Sequence, residues 1–359
     1  MLRRTIGLLL LVFTLFSCAF GQAEMEMQKY TMYFFDTFDT MVSIIGYAEN
    51  KAVFDRVTLE AKEQFEYLHR LYDGYRAYEG VENIFTLNRD AALAPVKVEP
   101  ELMDMLVFAK EWQEKLQGTV NIAMGGVFKI WHDYRTEGIA NPAAAKLPPM
   151  EELKAAAIFG NMEKVELDIA AGTVFFTHPG IRLDVGAVAK GYAAEWVARR
   201  MLQSEMPHFI ISAGGNVRAG QPPMDGRADW GIGLQKPDAL AGSMMSGEYF
   251  ETLYVSDRSV VTSGDYERFY EVEGVRYHHI ISPETLMPAD EHRAITVVCE
   301  DSGQADILST AIFILPYAEG RALVENLEGV EALWVEPNGV IRMTEGMKAI
   351  SKSGGETAE

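Results

Sequence analysis

Cysteine is nearly absent from this sequence: Cys18 and Cys299 are the only two in 359 residues. A disulfide framework is therefore not what holds the fold. Positive charge is also scarce, with 32 Lys and Arg against 52 Asp and Glu and a formal net charge of -20. That balance excludes nucleic acid or an anionic lipid surface as a broad partner, because phosphate-rich surfaces require clustered Lys and Arg. An anionic ligand stays open wherever a local cation or a bound metal offsets the field. The N-terminal apolar run, Ile6 to Phe16, is too short for a stable membrane span. No internal repeat is present. What remains, 48% apolar and 23% charged residues, is the composition of a folded protein large enough for one domain or two modest ones.

The N-terminus stands apart. Arg3 and Arg4 precede the apolar run in the manner of an export signal. Leu15-Phe16-Ser17-Cys18 resembles the lipobox of bacterial lipoproteins, in which the cysteine is acylated and becomes the mature N-terminus. Ala19-Phe20-Gly21 offers ordinary cleavage as the second reading. Either way residues 1–21 form a signal peptide and the mature protein is exported. Residues 22–30 then read as a polar tether, 31–345 as the folded domain and 346–359 as a polar tail.

Within the domain, strand and helix signals mix. Thr31 to Tyr47 is rich in aromatic and β-branched residues and predicts one or two strands. Phe54, Val57, Ala61, Phe65 and Leu68 recur at helical spacing and predict an amphipathic helix over 52–71. Glu99-Pro100-Glu101 opens another helix, with proline in its first turn and acids at the positive dipole end, and Gly118 closes it. Val165, Leu167 and Ile169 alternate before Ala171-Gly172, and Val174 to Thr177 returns as a hairpin. Ala294 to Cys299 reads as a buried strand, so Cys299 is a core residue rather than a reactive thiol. Lys236 to Gly247 reads as an exposed loop.

Chemistry-bearing groups concentrate in a few stretches. Leu183 to Glu195 reads as a short apolar strand, a glycine turn and a helix with Lys190 in its first turns. A helix start of this kind points unpaired N–H groups and the positive dipole end at an anion. Asp301-Ser302-Gly303 caps a helix on which Asp306 and Thr310, four residues apart, share one face. Hard oxygen ligands so placed suit Mg²⁺, which completes its shell with phosphate and water; a solvent-facing pair is the plain alternative. Tyr72, Tyr75 and Tyr78 form either a half-buried corner or an aromatic platform for a planar ligand. Gly214-Gly215-Asn216 makes a tight turn, and His132 beside Asp133 reads as a surface or packing residue.

Five of these motifs occur in one order. They are Leu183-Asp-x-Gly-Ala-x-Ala-Lys-Gly-Tyr192, Ser212-Ala-Gly-Gly-Asn216, Val261-Thr-Ser-Gly-Asp-Tyr266, His279-Ile-Ile-Ser-Pro283 and Ala305-Asp-x-Leu-Ser-Thr-Ala311. The series closely resembles the ApbE family, the FAD:protein FMN transferases, over roughly residues 31–341. The resemblance implies an α+β fold of mixed, mainly antiparallel sheets flanked by helices, a two-lobed single domain with an FAD cleft. It implies a Mg²⁺-dependent enzyme that cleaves the pyrophosphate of FAD, attaches FMN to a Ser or Thr of an acceptor protein and releases AMP. The expected acceptor is an exported or membrane electron-transport subunit. Some members instead hydrolyse FAD to FMN and AMP, and a flavin-binding lipoprotein without turnover is a further reading.

Carried over position by position, the resemblance places the metal on Asp306, Thr310 and the backbone carbonyl of Ala187. It places FAD against Asp184, Lys190, Thr119, Val120 and Asn121. Tyr78 is the stacking tyrosine, with Tyr72 as the other candidate. His279 and Ile281 fall near the adenine or phosphate end. His279 is the candidate general base, a metal-bound group or Asp306 itself being the alternatives. The implied partners are FAD, the acceptor and the membrane, reached through a lipid on Cys18. Departures from the family pattern include Val120-Asn121-Ile122-Ala123, Ser282 and Phe38-Asp39-Thr40.

Overall fold

The computed structural model describes residues 27–237 and 249–355. The expected signal peptide, Cys18, and most of the loop expected over 236–247 lie outside the described residues, as do residues 356–359. Strand β1 (Gln28–Thr37) pairs with β2 (Thr40–Ala48) through a turn in which Phe38 and Asp39 both take positive φ. Three residues of the expected tether thus belong to the first strand.

Helix α1 (Lys51–Tyr72) begins where Asn50 accepts from the N–H groups of Ala52 and Val53. It buries the predicted stripe of Phe54, Val57, Ala61, Phe65 and Leu68. Each large apolar side chain so placed contributes about 1.5–3 kcal/mol. Helix α2 (Ile84–Asp90) carries a capping box between Asn83 and Thr86. It leads to the short β3 (Val96–Lys97) and to α3 (Pro100–Lys115). Helices α4 (Gly125–Ala140) and α5 (Met150–Ala157) follow, then the hairpin of β4 (Val165–Asp168) and β5 (Thr173–Phe176), which forms a three-stranded sheet with β3. Helix α6 (Ala189–Leu202) leads into β6 (Phe209–Ala213) and β7 (Asn216–Ala219). Their two-residue turn puts Gly214 at φ 50° and Gly215 at φ 87°, a conformation that glycine reaches without strain.

The second half is mostly strand: β8 (Trp230–Gln235), β9 (Tyr249–Val255), β10 (Ser259–Gly264), and the hairpin of β11 (Phe269–Val272) and β12 (Val275–His278). Then come β13 (Ala294–Cys299), α7 (Ser302–Ile314), α8 (Tyr317–Glu325), β14 (Glu331–Val335), β15 (Ile341–Met343) and α9 (Glu345–Ile350). One eight-stranded sheet organises the molecule, in the order β1-β2-β6-β7-β10-β13-β14-β15. All of its ladders are antiparallel.

Both faces of the sheet are covered. Helices α1, α3 and α6 pack on one face near β1, β2 and β6, and α7 and α8 continue that layer over β13 and β14. The β8–β9 hairpin and α9 cover the other face. For this reason all six residues of β13 are buried, and Cys299 is a core thiol whose pKa burial pushes up to about 12. The expected mixed, mainly antiparallel fold with flanking helices is what the structure shows. The C-terminal segment, expected as a polar tail, instead docks. Met347 is fully buried, and the buried Glu251 carboxylate accepts from the N–H groups of Lys352 and Ser353.

Candidate active-site cleft

The site is built where α6 and α7 meet. Gly191 lies against α7 so closely that a Cβ there would sit 2.2 Å from the Ser302 carbonyl oxygen and 2.5 Å from Asp306 Cβ. No other residue fits. The Gly191 N–H donates to Asp306 Oδ2 at 2.8 Å rather than to the carbonyl of Ala187, four residues back. That leaves the Ala187 carbonyl without its ordinary helical donor. Thr310, one turn beyond Asp306, is half-buried, its hydroxyl bonded only at 3.4 Å to the Asp306 carbonyl. A buried carboxylate, a weakly held hydroxyl and an open carbonyl form an oxygen set that fits Mg²⁺. Among the described residues no group of three or more His, Cys, Asp or Glu could hold a metal, so this mixed set is the candidate.

Lys190 stands beside it and donates to the Gly214 carbonyl at 2.9 Å, which ties α6 to the β6–β7 turn. Burial pulls its pKa down, opposed by the Asp306 charge. Burial raises Asp306, opposed by Lys190, by the Gly191 N–H and by Asn216. The Asn216 amide is 1% exposed and completes no full hydrogen bond, yet it lies close enough to favour the Asp306 carboxylate.

A second group faces this one. The Phe269–His278 register puts Arg268 and His279 side by side at the open end of the β11–β12 hairpin. Gly138 of α4 packs directly on Tyr270, which brings His132 and Arg135 of α4 to the same place. Arg135 Nη2 and His132 Nδ1 are 3.2 Å apart, and the His132 ring lies 5.0 Å from that of Tyr75. Asp184 completes the group. Its Oδ1 accepts from Gly186 N–H, and His132, Arg268 and Arg135 oppose the rise that burial causes in its pKa.

His279 Nδ1 is buried without a partner. Burial, then Arg268, His278, Arg135 and Lys190, hold its pKa well below the ordinary 6.5. Asp184, Lys190 and His279 keep part of their surface accessible, yet burial is the largest cause of shift in each. Accessible groups so closely surrounded line a cleft. Tyr75 shows the same combination: it is 58% exposed, yet its surroundings raise its hydroxyl to about 12. Lys190, Arg135 and Arg268 give this cleft a positive lining in a chain of net charge -20.

Some expected residues fall elsewhere. Leu183 to Val185 is not a strand; Asn88 grips the Leu183 backbone on both sides, at 2.9 and 2.6 Å, and Asp184 N–H donates to Ile122. Asn121, expected at FAD, is buried and its amide is used within the loop, donating to Gly160 and accepting from Ala123 N–H. Val120 and Ile281 point into apolar cores, while Thr119 is half-buried and its N–H donates to Leu116. Tyr78 bonds Asp73 at 2.7 Å and meets His69, and Tyr72 is buried against Tyr192 and Phe38. Tyr75 is the tyrosine of that run that shares the cleft with Asp184, because the chain after α1 turns out at Asp73. His132, expected as a surface or packing residue, instead joins this group beside Arg135, Tyr75 and Asp184; Tyr75 belongs to the Tyr72-Tyr75-Tyr78 run, and no motif marks Arg135 or Arg268. A separate cavity of about 410 Å³, lined by Asp257, Arg258, Cys299 and Glu300 among others, lies at the opposite end of β10 and β13.

A sequence model of the ApbE family matches residues 38–334. An FAD:protein FMN transferase of Klebsiella pneumoniae (strain 342) is 31% identical over 293 residues, 81% of this chain and 84% of that protein. Another, from Treponema pallidum (strain Nichols), is 34% identical over 274 residues, 73% of this chain and 72% of that one. Among solved structures, the ApbE protein of Thermotoga maritima has a TM-score of 0.76 at 26% identity, covering 90% of this chain and 99% of its own. The flavin transferase ApbE of Vibrio cholerae, at 20% identity and a TM-score of 0.73 over 90% and 100%, is a likeness of fold.

Proposed function

The chain belongs to the ApbE family, and on that premise we propose that it is a Mg²⁺-dependent FAD:protein FMN transferase. The observation that carries the reading is the cation-lined cleft against the Asp306–Ala187–Thr310 oxygen set in an otherwise acidic protein. Such a cleft takes a diphosphate whose charge the rest of the surface would repel.

In phosphoryl transfer the protein's work is positioning and charge neutralisation. Asp306, Thr310 and the Ala187 carbonyl would hold Mg²⁺, which when bound offsets the charge of the pyrophosphate. Lys190 orients the same oxygens from the α6 side. His279, neutral because burial and nearby cations disfavour its charged form, accepts the proton of an acceptor Ser or Thr hydroxyl. The hydroxyl oxygen bonds to the FMN-side phosphorus as the bond to the bridging oxygen breaks, and AMP leaves. Tyr75, its ring tilted by 35° against that of His132, offers the flat surface for the flavin ring. Export and a lipid on Cys18 would place this chemistry on the extracytoplasmic face of the membrane, near an electron-transport acceptor.

Mass spectrometry tests the reading. Purified protein, FAD and Mg²⁺ are incubated with and without a candidate FMN-binding electron-transport subunit. A transferase adds FMN covalently to the subunit and releases AMP. Free FMN with AMP in both reactions identifies a hydrolase, and unchanged FAD identifies a binding protein without turnover.

A further inference from the structure

Glu195 lies on α6 just past the cleft and touches none of its groups, yet it is 6% exposed and paired with two arginines. Its Oε2 accepts from Arg218 Nε at 2.9 Å and from the Ser302 N–H at 3.0 Å, and its Oε1 accepts from Arg199 Nε at 3.1 Å. Arg218, 2% exposed, continues to Asp257 Oδ1 at 2.9 Å and to the Ala219 carbonyl. One carboxylate therefore joins α6, β7 and the first residue of α7. Stability alone does not call for this arrangement, since packed apolar side chains often replace a buried ion pair at no loss.

Its geometric consequence is specific. Ser302 is gripped twice by α6, its N–H by Glu195 and its carbonyl by the face of Gly191. Asp306 follows one turn later on α7, and Ala187 precedes Gly191 by one turn on the α6 side. Fixing Ser302 against α6 thus fixes the separation of the Asp306 carboxylate from the Ala187 carbonyl. We propose that Glu195, through Arg218 and Ser302, is the positioning residue that holds the two halves of the oxygen set at metal-binding distance. This rests on the assignment of Asp306 and Ala187 to the metal.

The test reads metal binding directly, on FAD-free protein, with Mn²⁺ as the probe in calorimetry alongside thermal melts. Glu195→Gln keeps the shape but gives up the charge that pairs with Arg218, and should weaken Mn²⁺ binding by about 10–100-fold, the usual range for partners that orient metal ligands. Arg218→Lys, which cannot reach both Glu195 and Asp257, should weaken it by a smaller factor and keeps the test alive if the first variant does not fold. Leu253→Ala, a core change on the opposite face of the sheet, should lower the melting temperature and leave Mn²⁺ affinity within about twofold, because it adds only a cavity. Mn²⁺ affinity in folded Glu195→Gln or Arg218→Lys equal to wild type would overturn the proposal and leave Glu195 a purely stabilising group. Equal Mn²⁺ binding by wild type and Asp306→Ala would overturn the metal assignment itself, a result visible without any Glu195 variant.

Discussion

The two walls of the cleft are built by opposite means. On the α6–α7 wall, close helix packing sets the geometry: a glycine contact, an N–H on Asp306 and a buried ion cluster leave little freedom. The facing wall is made of long side chains, Arg135, Arg268, His132 and Tyr75, from a helix, a turn and a loop held together by tertiary packing. Arg268 and Tyr75 are largely exposed there. The first wall is suited to a metal, which tolerates small errors in ligand distance poorly. The second is suited to a large planar, anionic ligand that must enter and leave.

Asp306→Ala removes the one carboxylate of the proposed metal-binding oxygen set. It should lower metal-dependent AMP release by about a thousandfold or more, several kcal/mol of lost charge stabilisation, with the circular dichroism spectrum unchanged. Wild-type turnover in that variant would dissolve the distinction between the walls. Gly191→Ala forces a methyl into the Ser302 carbonyl and should cost about 1–3 kcal/mol in a denaturant titration while also depressing turnover. A variant as stable and active as wild type would show that the helices are not in register-setting contact.

His279→Ala should slow AMP release by about 10²–10⁴-fold if His279 takes the proton. Because burial holds its pKa below 6.5, the imidazole is neutral at pH 7, and the wild-type rate should fall only as pH drops through that lowered value. The same shift bears on stability. A buried histidine with a depressed pKa contributes stability above the unfolded value of about 6.5, lost as pH falls toward the folded value. The acid limb of the rate profile should vanish in His279→Ala; its persistence would assign the base elsewhere.

The smallest effects belong to the side-chain wall. Tyr75→Ala should raise KM for FAD about threefold to tenfold with little change in kcat, the value of one aromatic contact. Tyr78→Ala should do less, because that ring sits on Asp73 and His69. Reversal of that order would return the stacking role to Tyr78.

The same contrast explains what could be read from the chain alone. Asp306, Thr310, Lys190 and the Gly214-Gly215 turn lie in contiguous motifs whose spacing already implies their geometry, and the α1 and β13 patterns predicted their burial. Arg135 and Arg268 are 133 residues apart in the sequence, and the packing of α4 on the β11–β12 hairpin, Gly138 on Tyr270 and Trp131 on Tyr277, unites them. Leu183 to Val185 has the composition of a strand, but its backbone bonds go to Asn88 and Ile122, so no ladder forms. Asn121 is placed at FAD by the family resemblance alone, but its amide closes its own loop.

Under the proposed function, one cleft joins a metal held between α6 and α7 to a flavin on the facing wall. Anomalous scattering from a crystal soaked with FAD and Mn²⁺ tests it most directly. The expected result is a single Mn²⁺ peak bounded by Asp306, Thr310 and the Ala187 carbonyl, with the diphosphate beside it and the flavin ring against Tyr75. A Mn²⁺ peak away from Asp306, or a flavin bound outside this cleft, would contradict it.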